Sequence, residues 1–160
     1  MVNYVIDTNV AIVANGKEAD VSVDCRLASV DLLVKAYKNG KIFLDAAGEI
    51  QTEYGRYLAP KGAPGVGDRF YLEILNSHPD RVVRVDVPKR ADGQHEDLPQ
   101  PIIDAGFDPS DRVFAAVAKK ARARVFNAVD TDWLHHRVVI EANGIPVTFL
   151  CGCDPNLWRT

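Results

Sequence analysis

Two aspartates stand directly after apolar runs of the chain, where a strand would deliver its last side chains. Asp7 follows the run over 2–6, and Asp130 follows the run over 124–129. In open α/β sheets, functional sites are built in the crevice beyond the carboxyl ends of the strands. Two such acids, joined by acids from the helices between them, would form a pocket of concentrated negative charge. Such a pocket requires a hard cation, so the pattern predicts a metal site.

Each of these acids also has a purely structural interpretation as a helix cap. Asp7, Asp45 and Asp130 fall where a strand gives way to a helix, and Asp is a favoured N-cap residue. Asp111 stands three residues after Asp108, a spacing close to that of a capping box. If each of three caps were Asp by chance about one time in four, all three would coincide on the order of one time in sixty. Taken singly the acids favour caps, and taken together they favour a metal-binding cluster.

The elements that must position these acids alternate between strands and helices along the chain. The dipeptides Asn39-Gly40 and Asn143-Gly144 are helix-stop signals. Strands alternating with helices favour a largely parallel sheet covered on both faces. The prediction is an α/β fold, a three-layer α/β/α sandwich with a mostly parallel sheet, in a single domain over 1–160. The predicted strands are 2–6, 41–44, 82–85, 125–129 and 146–150, and the predicted helices are 21–39, 45–58, a segment through Phe70 and Leu75, 109–118 and 131–142.

Two segments interrupt this alternation. Residues 60–67 include Gly62, Gly65 and Gly67 but lack the Lys-Ser/Thr ending of a phosphate loop, so they are interpreted as a turn leading into a helix. Residues 86–108 are polar and rich in proline. Structureless loops longer than about 12–15 residues are uncommon in compact domains. The second segment is therefore predicted to be either a long functional loop or a partly disordered lid.

The composition is that of an ordinary globular protein, with 160 residues, 47% hydrophobic residues and 26% charged residues. A net charge of −3 does not indicate a nucleic-acid binder, although a local basic patch can still bind phosphate. No secretory signal is recognised, and no apolar run reaches the roughly 18 residues of a membrane span, so a cytoplasmic protein without membrane association is expected. The three cysteines cannot all pair within one chain, and Cys151-Gly152-Cys153 favours packing over a redox or metal role.

The acids stand in motifs that resemble those of PIN domains, the nuclease fold of VapC-type toxins and relatives of flap endonucleases. The opening motif is Val5-Ile6-Asp7-Thr8-Asn9-Val10, and Glu53 follows in Glu49-Ile50-Gln51-Thr52-Glu53-Tyr54. Asp111 lies in Asp108-Pro109-Ser110-Asp111-Arg112-Val113-Phe114, and the series closes with Asp130-Thr131-Asp132-Trp133. The order and spacing of these four motifs match over nearly the whole chain. The four-part series is more specific than a single Asp-Thr-Asn.

The resemblance implies a set of acidic residues that hold a metal and carry out catalysis. The family's quartet falls on Asp7, Glu53, Asp111 and Asp130, and Asp132 is implied as a fifth metal ligand. Without the resemblance, Glu53 would be interpreted as an ordinary exposed helix residue. Glu53 is therefore the member of the quartet that depends most on the family motifs.

The resemblance also implies residues that support the quartet. Thr8 and Asn9 would position Asp7 or a metal-bound water. The family often has Thr or Ser where this chain has Ala128, and Asn127 is predicted to supply the missing hydrogen bond. The segment 60–106 is longer than in compact toxins of the family, so substrate preference does not transfer.

The ligand types decide the predicted chemistry. Carboxylates without His or Cys at metal-ligand spacing suit Mg²⁺ or Mn²⁺ rather than Zn²⁺. Such ions polarise a phosphodiester and lower the pKa of an attacking water. The predicted function is a metal-dependent nuclease, foremost an endoribonuclease acting on single-stranded or structured RNA. The resemblance adds the role of a toxin with an antitoxin protein as partner, and a homodimer. Arg56, Arg112 and Lys119 are the predicted contacts to the RNA backbone.

Two other functions are compatible with parts of the pattern. A phosphatase of the aspartyl-phosphate type also begins with a strand that ends in Asp, but it requires a second acid where this chain has Asn9. A non-catalytic PIN-like module could bind RNA or a partner protein, but a scaffold need not retain mutually repelling acids.

Three further features favour structural roles: the basic run 119–124 as a solvated helix end, Trp133 as a core anchor, and His135-His136 as solvated or capping residues.

Overall fold

The computed structural model describes residues 2–17, 20–61 and 63–158, and its centre is a five-stranded sheet. The strands are β1 (Asn3–Ile6), β2 (Lys41–Asp45), β3 (Val82–Val85), β4 (Arg124–Asn127) and β5 (Val147–Phe149). They lie in the order β3-β2-β1-β4-β5, and every neighbouring pair is parallel. Helices flank the sheet, so the predicted α/β sandwich with a mostly parallel sheet is confirmed.

The helices follow the predicted alternation, with one division that was not predicted. The single helix expected over 131–142 is split at His136, where the backbone dihedrals are φ −101° and ψ 8°. The His136 ring lies 2.9 Å from the carbonyl oxygen of Asp132 and 3.1 Å from that of Ala105, and these contacts hold the break. The helices are α1 (Thr8–Ala14), α2 (Val23–Asn39), α3 (Glu49–Tyr57), α4 (Val66–Asn76), α5 (Gln100–Asp104), α6 (Arg112–Ala121), α7 (Thr131–His135) and α8 (Arg137–Ala142), and a 3-10 helix over Pro109–Asp111 leads into α6.

The strand order reverses direction at β1, which lies between β2 and β4. The chain first moves from β1 through β2 to β3, and then returns to the other side of β1 for β4 and β5. Such a reversal leaves a crevice beyond the carboxyl ends of the two strands at the switch. Ile6 is paired with Phe126, and the backbone amide of Asp7 donates to the Phe126 carbonyl at 3.0 Å. The residues that follow β1 and β4 therefore leave the sheet side by side.

Helix α6 packs closely on the sheet because many of its side chains are small. Every residue from Val113 to Ala118 is buried, and the run includes Ala115, Ala116 and Ala118. The helix contacts β1, β2, β3 and β4. Asp111 immediately precedes α6, so this packing also sets how closely Asp111 approaches the crevice.

Helix α4 also packs closely on its neighbour, in this case on the backbone of α1. A Cβ atom at Gly67 would lie 2.0 Å from the carbonyl oxygen of Ala11, so only glycine allows this approach. Helix α4 begins at Val66, as the interpretation of 60–67 as a turn leading into a helix requires. Gly62, which belongs to the same predicted turn, lies outside the described residues.

The segment 86–108 differs from the structureless loop or lid that its sequence suggests. It contains an antiparallel bridge between Lys89 and His95, and it contains α5. Its four buried apolar side chains are those of Val87, Leu98, Ile102 and Phe107. These residues follow neither a helical nor a strand period, so the sequence pattern does not reveal their burial. The segment is packed against the body of the protein.

The interpretation of Cys151 as a packing residue is wrong, because Cys151 forms a disulfide with Cys25. Cys153 is a free, exposed thiol. The disulfide joins the first turn of α2 to the segment after β5. Disulfides are rare in cytosolic proteins, so this bond weighs against the expected cytoplasmic location, which stays a prediction. Within the described ranges, no helix is both long enough and apolar enough to cross a membrane.

Candidate metal centre

Asp7 is the acid at the tip of β1, and its carboxylate is held from both sides. It is the N-cap of α1, and its Oδ1 accepts the backbone N–H of Asn9 at 3.1 Å and the Asn9 Nδ2 at 2.9 Å. Its Oδ2 accepts the indole N–H of Trp133 at 2.5 Å. The side chain is buried, with 4% of its surface exposed. Asp7 is thus both the cap that its position suggests and a buried acid facing the crevice.

Asp111 and Asp130 meet Asp7 at this crevice. Each of the three acids offers one carboxylate oxygen, and these oxygens all lie within 4.8 Å of one another. Asp111 occupies the N-cap position of α6 but makes no side-chain cap hydrogen bond, so its carboxylate is not used by the helix. Asp130 caps α7 by accepting the backbone N–H of Asp132 at 2.9 Å. The three acids come from segments that are far apart in the chain and meet only in the fold.

The proximity of these acids in a buried place raises their pKa values. Burial, followed by the charge of Asp130, raises the pKa of Asp7 to about 7, although hydrogen bonds from Asn9 and Trp133 act in the opposite direction. Burial, followed by the charges of Asp7 and Asp130, raises the pKa of Asp111 to about 9. Burial also raises the pKa of Asp130. Without a cation, the three carboxylates therefore resist full ionisation at neutral pH.

A second group of three acids shares Asp111 with the first. Asp108, Asp111 and Asp132 also offer carboxylate oxygens within 4.8 Å of one another. The Asp132 Oδ2 accepts the backbone N–H of Asp108 at 2.9 Å, which links the two loops that carry them. The sequence reasoning assigned Asp108 only to the start of a helix, because its spacing to Asp111 matches a cap. The signal that could have identified Asp108 as part of the site is its position three residues before Asp111.

Glu53 lies at the margin of the acidic groups. Among the described residues, neither three-acid group includes it. Its Oε2 accepts the hydroxyl of Thr8 at 3.0 Å, so Thr8 contacts Glu53 with its side chain. The half-buried position raises the pKa of Glu53, and the charges of Asp130 and Asp108 add to that effect. Of the predicted quartet, the structure brings three members together and leaves Glu53 beside them.

Two asparagine side chains connect the tips of β1 and β4. The Asn9 Nδ2 also donates to the Asn127 Oδ1 at 2.7 Å, and the Asn9 Oδ1 accepts the backbone N–H of Ala128 at 2.8 Å. Asn127 contacts the backbone of Asp130 in both directions, as an acceptor from its N–H and a donor to its carbonyl, each at 3.1 Å. The pair holds the two strand tips in register, and it supports Asp130 through its backbone.

The three cations predicted to contact a phosphate backbone lie in different surroundings. Arg56 is exposed and lines a groove with Glu53, Lys89 and Ser110 next to the acids. Arg112 is occupied, since its Nε donates to the Phe107 carbonyl at 2.8 Å and its Nη1 to the Gln94 Oε1 at 3.0 Å.

Lys119 is the third of these cations, and it lies near the far end of α6. It stands eight residues after Asp111, about 12 Å along the helix axis at a rise of about 1.5 Å per residue. Its amine donates to the Asn143 carbonyl at 2.7 Å. The structure therefore brings Arg56, but not Lys119, to the groove beside the site.

The donor set fits a hard cation. Both three-acid groups consist of aspartates alone, and carboxylate oxygens are the ligands that Mg²⁺ and Mn²⁺ prefer. Within the described ranges, no ion pair joins a lysine or arginine to Asp7, Asp111 or Asp130. The negative charge of the first group is thus left for a cation from solution.

No protein-family model matches the sequence. No curated protein matches it either. Among solved structures, the crystal structure of VapBC2 from Rickettsia felis bound to a DNA fragment from their promoter is similar, with 15% sequence identity and a TM-score of 0.49 over 92% of this chain and 98% of that chain.

Proposed function

We propose that this chain is a metal-dependent nuclease, and more narrowly an endoribonuclease. The observation that carries the proposal is the meeting of Asp7, Asp111 and Asp130 within 4.8 Å at the carboxyl ends of β1 and β4. Acids that were placed only to cap helices would have no reason to converge from three separate loops. The pKa values of Asp7 and Asp111 are raised by burial and by the neighbouring carboxylates, which supports a site that a cation would stabilise.

The proposed ligands are Asp7, Asp111 and Asp130, with Asp132, Asp108 and Glu53 around them. When bound there, Mg²⁺ or Mn²⁺ would polarise a phosphodiester and lower the pKa of an attacking water. Asn9 orients Asp7, and Asn127 fixes the backbone of Asp130, so both act as supporting residues. Thr8 orients Glu53 through its hydroxyl.

The preference for RNA rests on the motif resemblance to PIN domains and not on the geometry of the site. Arg56 is the proposed contact to the substrate backbone, since its side chain is exposed in the groove beside Glu53. Arg112 and Lys119 are left out of the proposed contacts because their donors hold backbone and side-chain acceptors of the protein. An antitoxin partner and a homodimer stay predictions.

The proposal is tested by incubating the protein with mixed RNAs and DNAs in Mg²⁺, in Mn²⁺ and in chelator. We expect RNA cleavage only with a divalent ion, and no cleavage by Asp111→Asn. The matched control is Asp45→Asn, which changes a buried aspartate at the tip of the neighbouring strand. Cleavage that persists in chelator, or in Asp111→Asn, would contradict the mechanism.

A metal-binding measurement separates the nuclease from the two alternatives. Mn²⁺ should raise the melting temperature of the wild type more than that of Asp7→Asn, because ligand binding stabilises the folded state. Equal shifts would rule out the metal site. Metal binding without any cleavage would favour the non-catalytic module, and hydrolysis of a phosphate monoester in place of RNA would favour the phosphatase.

A further inference from the structure

Trp133 contacts the candidate metal centre through its indole nitrogen. The predicted role of Trp133 as a core anchor does not explain this hydrogen bond. The side chain is fully buried, and its Nε1–H donates to the Asp7 Oδ2 at 2.5 Å. A buried indole N–H requires an acceptor, and this one has a carboxylate. Hydrogen bonds to an ionised acceptor are about twice as strong as bonds between neutral groups. The contact therefore does more than fill space.

The hydrogen bonds of Asp7 determine which of its oxygens a cation can reach. A carboxylate has about four lone-pair positions. The Oδ1 already accepts two N–H groups of Asn9, and the Oδ2 accepts the Trp133 indole. The remaining position is on Oδ2. The oxygen that is open to a cation is thus the one that Trp133 holds.

We propose that Trp133 is a positioning residue for metal binding, which fixes the Asp7 carboxylate so that Oδ2 can bind a cation together with Asp111 and Asp130. The proposal rests on the proposed metal site. Trp133 lies one helical turn after Asp130, so α7 carries one ligand and also the residue that orients another. Without the indole, the Asp7 carboxylate can rotate and the cation loses a preorganised ligand.

The Trp133 ring is itself held by a residue of the segment 86–108. Phe107 is fully buried and packs edge-to-face against Trp133, with ring centroids 4.7 Å apart and an interplanar angle of 71°. The Phe107 carbonyl accepts the Arg112 Nε at 2.8 Å, which ties this segment to the start of α6. A contact chain therefore runs from the 86–108 segment through Phe107 and Trp133 to Asp7.

The first test compares Trp133→Phe with Trp158→Phe. The second variant is a matched control, since Trp158 is also buried and its indole donates at 3.0 Å to the Gly152 carbonyl, a backbone acceptor. Mn²⁺ affinity is measured by calorimetry with the metal alone. Loss of an outer-shell partner of a metal ligand typically costs 10–100-fold in affinity, so we expect a loss of about that size in Trp133→Phe and none in Trp158→Phe.

Cleavage as a function of Mn²⁺ concentration supplies a readout that a packing role would not move. We expect Trp133→Phe to require more Mn²⁺ and to approach the wild-type rate when Mn²⁺ is saturating. If Trp133→Phe binds Mn²⁺ as the wild type does and shows only a lower melting temperature, Trp133 is a core anchor and the proposal is overturned.

A second measurement leaves Trp133 intact, so it also serves if Trp133→Phe does not fold. The chain has two tryptophans, and in Trp158→Phe the emission comes from Trp133 alone. Mn²⁺ is paramagnetic and should quench that emission more than Mg²⁺ does. If calorimetry shows that Mn²⁺ binds, equal effects of the two ions would overturn the proposal.

The failure of this inference and the failure of the proposed function give different results. A wild type that neither binds Mn²⁺ nor cleaves RNA removes the metal site and the role of Trp133 with it. A wild type that does both, together with a Trp133→Phe variant of unchanged Mn²⁺ affinity, overturns only the inference.

Discussion

Asp7 and Asp45 occupy matching places in neighbouring parallel strands, and yet they do different things. Each is buried at the carboxyl end of an apolar strand, with 4% and 0% of its surface exposed. Both carboxylate oxygens of Asp45 accept hydrogen bonds from the start of α3. Oδ2 accepts the Glu49 N–H at 2.8 Å, and Oδ1 accepts the Ile50 N–H at 2.9 Å. Asp7 caps α1 with one oxygen only, and one of its carboxylate oxygens lies within 4.8 Å of oxygens of Asp111 and Asp130.

The loop that follows each strand explains part of this difference. Helix α3 starts four residues after Asp45, and the turn between them lets both oxygens reach the first N–H groups of the helix. Helix α1 starts directly after Asp7, so the carboxylate reaches only one backbone N–H. The strand order explains the rest, because β1 lies beside β4 at the switch point whereas β2 lies between β1 and β3. Of Asp7 and Asp45, the acid at the switch point is the one that meets other acids.

The largest expected difference between the two positions is in catalysis. Asp7→Asn should lower the rate of RNA cleavage by roughly 10²–10³-fold or more, as is typical when one group that stabilises transition-state charge is removed. Asp45→Asn should keep a rate close to that of the wild type, because the carboxylate of Asp45 accepts its hydrogen bonds from the start of α3. The measurement is the cleavage rate per folded protein in Mn²⁺. Similar losses of cleavage rate in both variants would contradict the different roles of Asp7 and Asp45.

The free energy of unfolding should respond in the opposite order, with a larger loss from a substitution at Asp45 than from one in the acidic group. Asp45→Ala removes two hydrogen bonds to helix N–H groups and should lower the free energy of unfolding by about 2 kcal/mol. Asp111→Asn removes a buried carboxyl group that at pH 8 must either take up a proton on folding or stay charged beside other acids, so the metal-free variant should be at least as stable as the wild type. Urea unfolding in chelator measures both variants. A metal-free Asp111→Asn that is clearly less stable would mean that Asp111 is a structural acid.

The pH dependence of stability should report the raised pKa values of Asp7 and Asp111. The pKa values of Asp7 and Asp111 are raised from 3.8 to about 7 and about 9. At pH values between 3.8 and these raised values, the folded state therefore binds more protons than the unfolded state. Stability from these groups is fully present below about pH 4 and is lost as the pH rises through 7 and 9. The melting temperature in chelator should therefore fall over this range.

The controls for this pH profile use the same two positions. The double variant Asp7→Asn with Asp111→Asn should show a flatter profile. Mn²⁺ should also reduce the slope in the wild type, since a bound cation favours the ionised carboxylates. A wild-type profile that does not fall in chelator would contradict the raised pKa values.

The smallest expected effect concerns RNA binding by two cationic side chains, those of Arg56 and Lys119. Arg56 lies in the groove beside the acids, whereas Lys119 lies near the far end of α6 and donates to Asn143. In an Asp111→Asn background, Arg56→Ala should weaken binding of an RNA oligonucleotide and reduce the slope of log affinity against log salt by about 0.7, the value for one phosphate contact on a single strand. Lys119→Ala should change neither quantity. Fluorescence anisotropy at several salt concentrations decides between them.

Local patterns in the sequence predicted much of the fold, because apolar runs and stop signals are local properties. Asn39-Gly40 ends the predicted helix where α2 ends, and the strand over 82–85 has the predicted bounds. The break at His136 was missed because it depends on contact with Ala105, which is remote in the chain. The burial of Phe107 and the pairing of Cys25 with Cys151 were missed for the same reason.

For the candidate site, residue types and motifs predicted Asp7, Asp111 and Asp130, which the structure places together, and Glu53, which it places beside them. Nothing local distinguished Asp108 from a simple cap, and Trp133 carried no sign that its indole would contact Asp7. Arg56, Arg112 and Lys119 were equivalent in the sequence, since each was only a cation on a helix. Their surroundings differ because loop packing engages Arg112 with Phe107 and Gln94, and because the direction of α6 carries Lys119 away from the site, whereas Arg56 lines the groove.

The sequence by itself determined the alternation of strands and helices, the aspartates at the strand ends and the all-carboxylate chemistry of the acids, because each follows from residue type and near-neighbour spacing. Only the tertiary structure decided that β4 lies beside β1, and with it that Asp7 joins Asp111 and Asp130 while Asp45 caps a helix alone. The physical reason is that strand order and the packing of α6 depend on contacts between residues remote in the chain, which no local pattern contains.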